Sequence, residues 1–460
     1  MAFFASSVRR NNTSFSDLAR RVSKVSSQIT SYLEKHEHAH PDFTPTSAVL
    51  PETYAYESLR NELTDATMDL MRLANGPKNI FRTMSFWHTD LAATQVALRR
   101  KFFDHVPDDN VGLTASEVAK ATSMDVDRAN RILKMLTTHR IFEEVNGRFR
   151  HTALSNFLKT NIYRSMAEMQ LDPCAKATSD MDDWIVASPY GMSVKDSPFY
   201  RQFKKDFYTY TADENHGKLF SDAMRSWGTS MCTKILRKEP WLTFSSVDNP
   251  FEMLRNNFDW GSLANTKVVD VGGGNGHVSL DLARVSAVYL LRSRELTQYA
   301  QEFKNISFTV QDLSPQQLSD ANVAELGDRV TYQQYDYYTP QPIRDAGVYL
   351  CRATFHNHND EESVKMLRAL MPALEGRIDN PVVLINDVIV PERAEGAVTM
   401  AEANQLRQMD LLMLALFGAK ERTENDWRTL FKEVDERLEI VKMHYNPRGA
   451  GLLEVRLRST

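Results

Sequence analysis

Cysteine is scarce in this 460-residue chain. Its three cysteines, Cys174, Cys232 and Cys351, lie far apart and form no Cys-x-x-Cys pair, which excludes a disulfide framework and a cysteine-based zinc site. Long apolar runs are also missing, because no window approaches the roughly 18 residues of a membrane span. The short apolar stretch at the N-terminus precedes its arginines, the reverse of the order in a secretory signal. We therefore expect a cytoplasmic protein that has no membrane partner.

No charge of either sign dominates the sequence. The formal net charge is −5 at pH 7, the charged fraction is 25% and the hydrophobic fraction is 42%. These values are ordinary for a globular protein, and they argue against a general affinity for nucleic acid. The length allows two or three domains with a sizeable core.

The first 84 residues are predicted to form a polar arm and helices. The run His36, His38 and His40 could bind a metal ion, but it lies beside prolines and has no matching ligand cluster nearby. A solvated linker is the favoured interpretation of that run. Apolar residues at helical spacing then predict a helix over Tyr54–Leu73.

Residues 85–165 have the pattern of a winged helix. A short helix is predicted after Thr114, a longer helix follows it, and two strands flank the turn-forming pair Asn146-Gly147. Such a module could bind DNA with its second helix. Between Leu113 and Arg150, however, seven Lys and Arg face five Asp and Glu, which is a weak electrostatic footprint. A dimerisation or substrate-lid module is therefore favoured over a DNA-binding regulator.

The rest of the chain is predicted to form two parts that meet at residue 246. Residues 166–245 are predicted to be helices broken by prolines, forming a connector and substrate lid. Residues 246–460 are predicted to form one domain, in which short apolar runs alternate with helical stretches from Thr266 onward, a pattern typical of a parallel α/β sheet. The predicted strands lie in KVVDVG, ISFTVQDL, VTYQQYD, AGVYLCRA, PVVLINDVIV, LEIVKMHY and GLLEVRLRS.

The stretch VVDVGGGNGHVSL predicts a strand, a glycine turn and a helix that together bind a nucleotide. Gly272, Gly274 and Gly276 let the backbone turn tightly and approach a ligand. Asp270 is placed to meet a ligand ammonium group, and Asp312 ends the next strand, where ribose hydroxyls would lie. Asp270 favours S-adenosylmethionine over NAD, because enzymes that bind dinucleotides usually lack an acid at this position. A purely structural turn is the alternative.

The spacing after this loop is unusual. Gly276 and Asp312 are 36 residues apart, whereas about 20 are expected between the glycine loop and the ribose acid. The excess lies in Val285–Gln298, which has 14 residues. A surface excursion would explain it. A retained intron translated in frame would also explain it, because the ends of the segment can be encoded by a splice donor and by a branch point with an acceptor.

The stretch RATFHNHND, residues 352–360, has three interpretations. His356 and His358 would share one face of a strand and could hold a metal ion. His356 alone could serve as a general base, because an imidazole with a pKa of about 6.5 can accept a proton from a hydroxyl whose pKa is about 10. The stretch could also be an ordinary polar loop.

Taken together, these motifs resemble the plant and fungal S-adenosylmethionine-dependent O-methyltransferases that include caffeic acid and isoflavone methyltransferases. The resemblance covers about residues 85–460 and is strongest over 266–430. VVDVGGGNGHVSLDLA is similar to the cofactor loop, TVQDLS to the ribose strand and QYDYYTP to the adenine-side strand. RATFHNHNDEE resembles the signature Arg/Lys-x-x-x-His-Asp-Trp-x-Asp, and MDLLMLALFGAKERTENDW resembles the methionine-rich helix and its Lys-Glu-Arg-Thr segment.

The resemblance implies an α/β fold with a C-terminal Rossmann-like class I methyltransferase domain and an N-terminal helical, winged-helix dimerisation domain. It implies that His356 is the catalytic base, flanked by Asp387 and Glu421, with no metal required. The residues implied to bind S-adenosylmethionine are Asp270, Gly272, Gly274, Gly276, Asp312, Asp336, Tyr337 and Arg352.

Two positions depart from the family signature. Asn357 stands where the family has Asp, and His358 stands where it has Trp. Some fungal relatives of this fold keep the cofactor but catalyse pericyclic reactions or dehydrations, so a pericyclase or dehydratase remains the alternative to a methyltransferase. Because His356 is retained, we expect methylation of a phenol or enol hydroxyl of a small secondary metabolite.

The expected assembly is a homodimer with a natural-product substrate and no nucleic-acid partner. The candidate walls of the substrate pocket are Met224, Trp227, Met409 and Met413, because thioethers and rings suit flat aromatic molecules. Plain core packing would explain the same residues.

Overall fold

The computed structural model describes residues 13–51, 53–159, 161–228, 250–263, 266–288, 306–315, 318, 327–393, 398–447 and 449–458. The chain forms two compact units. The first contains residues 1–183, 201–246 and 399–401, and the second contains residues 184–200, 247–398 and 402–460. The predicted division into parts ending at residues 84, 165, 245 and 460 remains a prediction.

The first unit begins with two long helices. Helix α1 (Phe15–Lys35) starts at a capping box in which Ser14 and Asp17 satisfy each other's backbone N–H groups. Helix α2 (Tyr54–Arg99) is interrupted at Gly76, whose φ of 63° lies outside the helical region, and Pro77 starts the second part. The sequence predicted the first part of α2, but α1 was expected only as part of a polar arm.

The predicted winged helix is present. It comprises α3 (Phe102–His105), β1 (Leu113–Thr114), α4 (Ala115–Thr122), α5 (Val126–Thr138), β2 (Phe142–Val145) and β3 (Arg148–His151). Its antiparallel sheet has the order β1-β3-β2. Asn146 and Gly147 both have positive φ angles, 52° and 72°, as a tight hairpin with matching twist requires.

Short helices follow the wing up to residue 228. They are α6 (Ala153–Phe157), α7 (Asn161–Met169), α8 (Ala175–Ser179), α9 (Met181–Ala187), α10 (Pro198–Phe203), α11 (Phe207–Thr211) and α12 (Glu214–Gly228). A π-helical turn over Gln170–Cys174 joins α7 to α8 and contains Pro173.

The second unit is built on a seven-stranded sheet. All seven strands lie in the predicted apolar runs: β4 (Lys267–Val271), β5 (Ser307–Asp312), β6 (Val330–Gln334), β7 (Val348–Arg352), β8 (Val382–Asn386), β9 (Leu438–His444) and β10 (Leu452–Leu457). Their order is β6-β5-β4-β7-β8-β10-β9. Strands β4 to β8 pair in parallel, and β10 pairs antiparallel with both β8 and β9. The predicted α/β class is confirmed.

Helices α13 (Pro250–Asn257), α14 (His277–Val288), α15 (Asp360–Leu374) and α17 (Glu424–Val434) pack on this sheet. A further helix, α16 (Met400–Phe417), precedes α17 in the chain. Alternate residues of each central strand enter two separate cores. Val269 and Tyr349 pack with residues of α15 and α17, whereas Val268 and Leu350 pack with residues of α13 and α14. Burial on both faces explains why these strands are apolar throughout.

Two further expectations concern particular segments. Among the described residues no helix is both long enough and apolar enough to cross a membrane. Within Val285–Gln298, residues 285–288 finish α14, and residues 289–298 lie outside the described part of the chain. The excursion and the retained intron therefore remain predictions.

Candidate active site

The carboxyl ends of the parallel strands form one edge of the sheet, and the predicted polar residues gather there. The strand order reverses beside β4, which has β5 on one side and β7 on the other. Ligands of open α/β sheets bind at such a reversal. The residues within two positions of these strand ends include Asp270, Asp312, Asp336, Arg352 and Asp387.

The glycine loop after β4 presents bare backbone. Gly272, Gly274 and Gly276 have φ angles of 72°, 59° and 74°, a region that other residues rarely adopt. A Cβ atom on Gly273 would lie 2.7 Å from Oδ2 of Asp270, so no side chain fits there without a shift. The N–H of Gly274 donates to Oδ2 of Asp312 over 3.0 Å, which ties the loop to the end of β5.

Asp270 lies beneath this loop. It is buried, and the hydroxyl of Ser279 donates to its Oδ2 over 2.6 Å. Burial raises the pKa of Asp270 to about 6, against the opposing effects of the Ser279 hydrogen bond and the Arg352 charge. A carboxylate in this environment gains from a cationic ligand group, because a nearby positive charge stabilises its ionised form.

The loop after β6 supplies an aromatic wall. Asp336 Oδ1 accepts a hydrogen bond from the N–H of Tyr338 over 3.0 Å. The ring of Tyr337 lies against the glycine loop, with its Cε1 atom 3.8 Å from the Cβ position of Gly272. A flat ligand bound at the loop would therefore contact Tyr337.

A strained loop carries His356. Ala353, directly after β7, has a φ of 49°, which is uncommon for a residue with a side chain. The carboxylate of Asp387 holds the loop by accepting hydrogen bonds from the N–H groups of Thr354 and His356, each over 3.2 Å. Asp387 therefore contacts the backbone next to the histidine rather than its ring.

Glu421 contacts the ring. Nδ1 of His356 lies 2.9 Å from Oε1 of Glu421, whose side chain is fully buried. Burial alone would lower the pKa of His356. The charge of Glu421, the hydrogen bond to it and the charge of Asp387 outweigh burial and raise that pKa to about 9. Burial also raises the pKa of Glu421. Imidazole is the more basic group by about two units, so we assign the shared proton to Nδ1, which leaves Nε2 to accept another.

Arg352 is held at the same edge by an amide. Its Nε donates to Oδ1 of Asn386 over 3.1 Å, and the Asn386 amide donates to the carbonyl of Gly451 over 2.6 Å. The side chain of Arg352, at the end of β7, therefore contacts the end of β8, and its charge acts on Asp270 at the end of β4.

A buried arginine fixes the whole loop. Arg422 donates to the carbonyls of Phe355 and His358 over 2.9 Å each, and also to Asp360 and Ser363. Its guanidinium lies 5.3 Å from the centre of the Trp427 ring. One side chain therefore binds the loop backbone at residues 355 and 358 and the start of α15 at Asp360 and Ser363.

The two histidines of the loop have different surroundings. Both ring nitrogens of His358 face tyrosine hydroxyls, with Nε2 2.9 Å from Tyr337 and Nδ1 3.2 Å from Tyr338. Among the described residues no group of three or more His, Cys, Asp or Glu is arranged to hold a metal ion. His358 thus supports the aromatic wall, and His356 faces Glu421.

Family profiles match both parts of the chain. Residues 253–435 match the O-methyltransferase domain, and residues 86–161 match the O-methyltransferase dimerisation domain. Among curated proteins, O-methyltransferase sol2 of Alternaria solani is 35% identical over 450 residues, covering 96% of this chain and 95% of the relative. The chain belongs to the O-methyltransferase family. O-methyltransferase bik3 of Gibberella fujikuroi is a more distant relative, 25% identical and covering 92% of this chain and 88% of its own.

Solved structures share the fold of this methyltransferase. OxaC in complex with SAH and oxaline superposes with a TM-score of 0.67 at 20% identity, covering 96% of this chain and all of its own. LepI in complex with SAM superposes with a TM-score of 0.65 at 17% identity and the same coverage. The cofactor of this methyltransferase is S-adenosylmethionine, and the bare glycine backbone and buried Asp270 fit it.

The structure distributes the predicted pocket residues over both units of the methyltransferase. Met409 is half-buried and Met413 is buried, and they lie four residues apart on α16. Met224 is half-buried on α12, and the side chain of Trp227 lies outside the described part of the structure. Their role in substrate binding remains a prediction.

Sequence reasoning missed several residues that shape this methyltransferase site. Arg422 lies in the quoted Lys-Glu-Arg-Thr segment, but nothing in the pattern distinguishes it from a surface cation. Asn386 and Ser279, the partners of Arg352 and Asp270, likewise carry no motif. The glycine pattern and the histidine stretch were the signals that the sequence did provide.

Proposed function

We propose that this methyltransferase methylates a phenol or enol hydroxyl of a small secondary metabolite, with His356 as the general base. The observation that carries this proposal is the contact between Nδ1 of His356 and Oε1 of Glu421 at 2.9 Å. That contact fixes the tautomer and leaves Nε2 free of the Glu421 hydrogen bond, so that Nε2 can take a proton from a bound hydroxyl.

In the proposed mechanism, one set of residues binds the cofactor and another set removes the hydroxyl proton. S-adenosylmethionine supplies an activated methyl group. The residues that would hold it are Asp270, the glycines, Asp312, Asp336, Tyr337 and Arg352. His356 removes the hydroxyl proton during attack, Glu421 stabilises the resulting imidazolium, and Asp387 keeps the loop in place. The chemistry calls for positioning and one proton transfer, with no metal.

The electrostatics predict an alkaline pH dependence. With a pKa of about 9, His356 carries a proton at neutral pH and becomes a base as the pH rises through that value. We therefore expect kcat/KM to increase with pH up to about 9, instead of levelling off near about 6.5 as it would for an unperturbed histidine.

Product analysis tests this function directly. The enzyme is incubated with S-adenosylmethionine carrying a labelled methyl group and a panel of phenolic and enolic acceptors. Mass spectrometry is expected to find products heavier by one labelled CH₂ unit, with formation that follows the predicted pH profile. Conversion of an acceptor without gain of the label would reject methyl transfer and support the pericyclase or dehydratase alternative.

The charges of the winged helix support a protein-binding role for that module. Lys134 pairs with Glu144, Arg148 with Glu117 and Arg150 with Glu143. Cations that are neutralised inside the module contribute little to phosphate binding. We therefore retain dimerisation, rather than DNA binding, as the proposed role of the wing.

We further propose that the enzyme is a homodimer that uses the middle of α2. Nearly every residue from 71 to 91 is exposed on all sides of this helix. Phe81, Met84, Trp87 and Leu91 fall within one arc of the helix and are 68%, 45%, 51% and 52% exposed. An isolated helix with such a stripe is marginal in water, and a stripe of this kind marks an interface. A second copy is the fitting occupant because the matched dimerisation domain begins at residue 86.

The dimer predicts a specific response to charge. Trp87→Glu is expected to convert the dimer into monomer at micromolar concentration, as measured by sedimentation velocity, because it would bury a carboxylate at the interface. Ile378→Asp is the control, since Ile378 is fully exposed in the second unit and its change is expected to leave the dimer intact. A Trp87→Glu variant that sediments as the wild type would exclude this surface.

A further inference from the structure

Besides Asp387, a second carboxylate contacts the pair formed by His356 and Glu421, and it comes from helix α16. Asp410 lies in the middle of this helix, and its Oδ1 accepts a hydrogen bond over 3.0 Å from the backbone N–H of Glu421. The helix ends at Phe417, and Gly418 turns the chain back with a φ of 61°. Glu421 thereby returns alongside Asp410, in a segment that belongs to no helix.

The backbone N–H of each residue in the His356–Glu421 pair donates to the carboxylate of an aspartate. Asp387 accepts from the N–H of His356 over 3.2 Å, and Asp410 accepts from the N–H of Glu421 over 3.0 Å. The distance of 2.9 Å between Nδ1 and Oε1 therefore depends on two carboxylates that each fix a backbone amide. Asp387 was predicted from the family resemblance, whereas Asp410 was not.

The charges around the pair favour retention of a proton. Asp387 and Asp410 face Glu421 and raise the pKa of its carboxyl, which burial raises most, whereas the charge of His356 lowers it. On the histidine side, the Arg422 charge opposes those of Glu421 and Asp387. Behind Asp410, Nη1 of Arg407 lies 3.6 Å from Oδ2. Arg407 is itself held by its bond to the carbonyl of Pro391 over 2.7 Å.

We infer that Asp410 is a positioning residue, which fixes Glu421 against the ring of His356 and adds negative charge beside the Glu421 carboxyl that shares a proton with that ring. This inference rests on the proposed function for its kinetic consequences. Its structural part, that Asp410 acts on the His356–Glu421 pair through Glu421, does not depend on whether the reaction is methyl transfer.

Two substitutions separate the two effects. Asp410→Asn keeps an acceptor for the Glu421 N–H but removes the charge, so the titration of His356 is expected to move to lower pH by about half a unit, as for loss of one partly screened charge. The acid limb of the kcat/KM profile is expected to move with it. Asp410→Ala also removes the acceptor, and kcat is expected to fall by about tenfold, which is less than the roughly hundredfold that a 1 Å misplacement of a reacting group can cost.

The titration is measured by NMR of the enzyme carrying isotope-labelled histidine, with the His356 signal assigned from its absence in His356→Gln. Asp426→Asn is the matched control. Asp426 lies in the first turn of α17, five residues after Glu421, where it caps the helix through Thr423 and pairs with Lys420. This control is expected to leave the His356 titration unchanged.

The outcomes distinguish this inference from the proposed function. A lower His356 titration in Asp410→Asn, without any methylation by the wild type, would retain the inference and reject the function. If Asp410→Asn titrates as the wild type and Asp410→Ala keeps full kcat, the inference is wrong. Thermal melting checks folding, and the near-isosteric Asn variant preserves the test if the Ala variant does not fold.

Discussion

Replacing His356 by alanine is expected to lower kcat by about two to four orders of magnitude, the usual contribution of a general base. The variant loses the nitrogen that accepts the hydroxyl proton. The loop keeps its fold because Asp387 and Arg422 bind its backbone, not the ring. The affinity for S-adenosylhomocysteine, measured by calorimetry, is therefore expected to stay within about twofold, equivalent to about 0.4 kcal/mol.

His139→Ala provides the comparison for this experiment. His139 is an exposed histidine of the winged helix that lies 3.3 Å from Asp90, and its replacement is expected to leave kcat unchanged. Full methylation activity in His356→Ala would show that another group removes the proton. Loss of cofactor binding in the same variant would instead indicate that the ring supports the cofactor pocket.

Replacing Arg422 by methionine is expected to lower the free energy of unfolding by about 3–5 kcal/mol, the cost of removing one partner from a buried charged network. The change leaves the carbonyls of Phe355 and His358 without their donor and leaves Asp360 without one of its cations. Because these groups shape the loop that carries His356, kcat is expected to fall as well. Urea denaturation followed by fluorescence measures the stability change.

Arg428→Met isolates the effect of burial. Arg428 forms an ion pair with Glu424 one helical turn away, and its side chain is half exposed, so this variant is expected to lose less than about 1 kcal/mol. The two arginines lie only six residues apart and undergo the same chemical change. Equal losses of stability in the two variants would contradict the assigned role of Arg422.

The sheet could be predicted from the sequence because of its burial. All five residues of Val382–Asn386 are buried, and a strand buried on both faces has no polar alternation to obscure it. Helix α1 shows the opposite case. Its apolar residues Leu18, Val22, Val25, Ile29 and Leu33 recur at helical spacing, and Leu18, Val25 and Leu33 are buried. The helix was missed because the many polar residues around them were interpreted as a polar arm.

The sequence predicted the site residues whose side chains take part in the chemistry themselves. His356 and Glu421 were placed by resemblance, and the structure brings their atoms to within 2.9 Å although 65 residues separate them. Arg422 and Asp410 were missed because their partners are backbone carbonyls and a backbone amide. Every residue has such groups, so no sequence pattern marks the one that will be bound. Only the fold determines that choice.

The interleaving of the two units along the chain has a consequence for synthesis. Trp184–Tyr200 belongs to the second unit, yet it is translated between two parts of the first. Within that segment, Ser193 packs so closely on Gly418 that a Cβ there would lie 2.7 Å from the Ser193 backbone. At the ribosome's rate of about 5–20 residues per second, Gly418 is synthesised roughly 10–45 s after Ser193. The units therefore cannot fold one after the other as they emerge, and the nascent chain carries an unmatched segment that chaperones can bind.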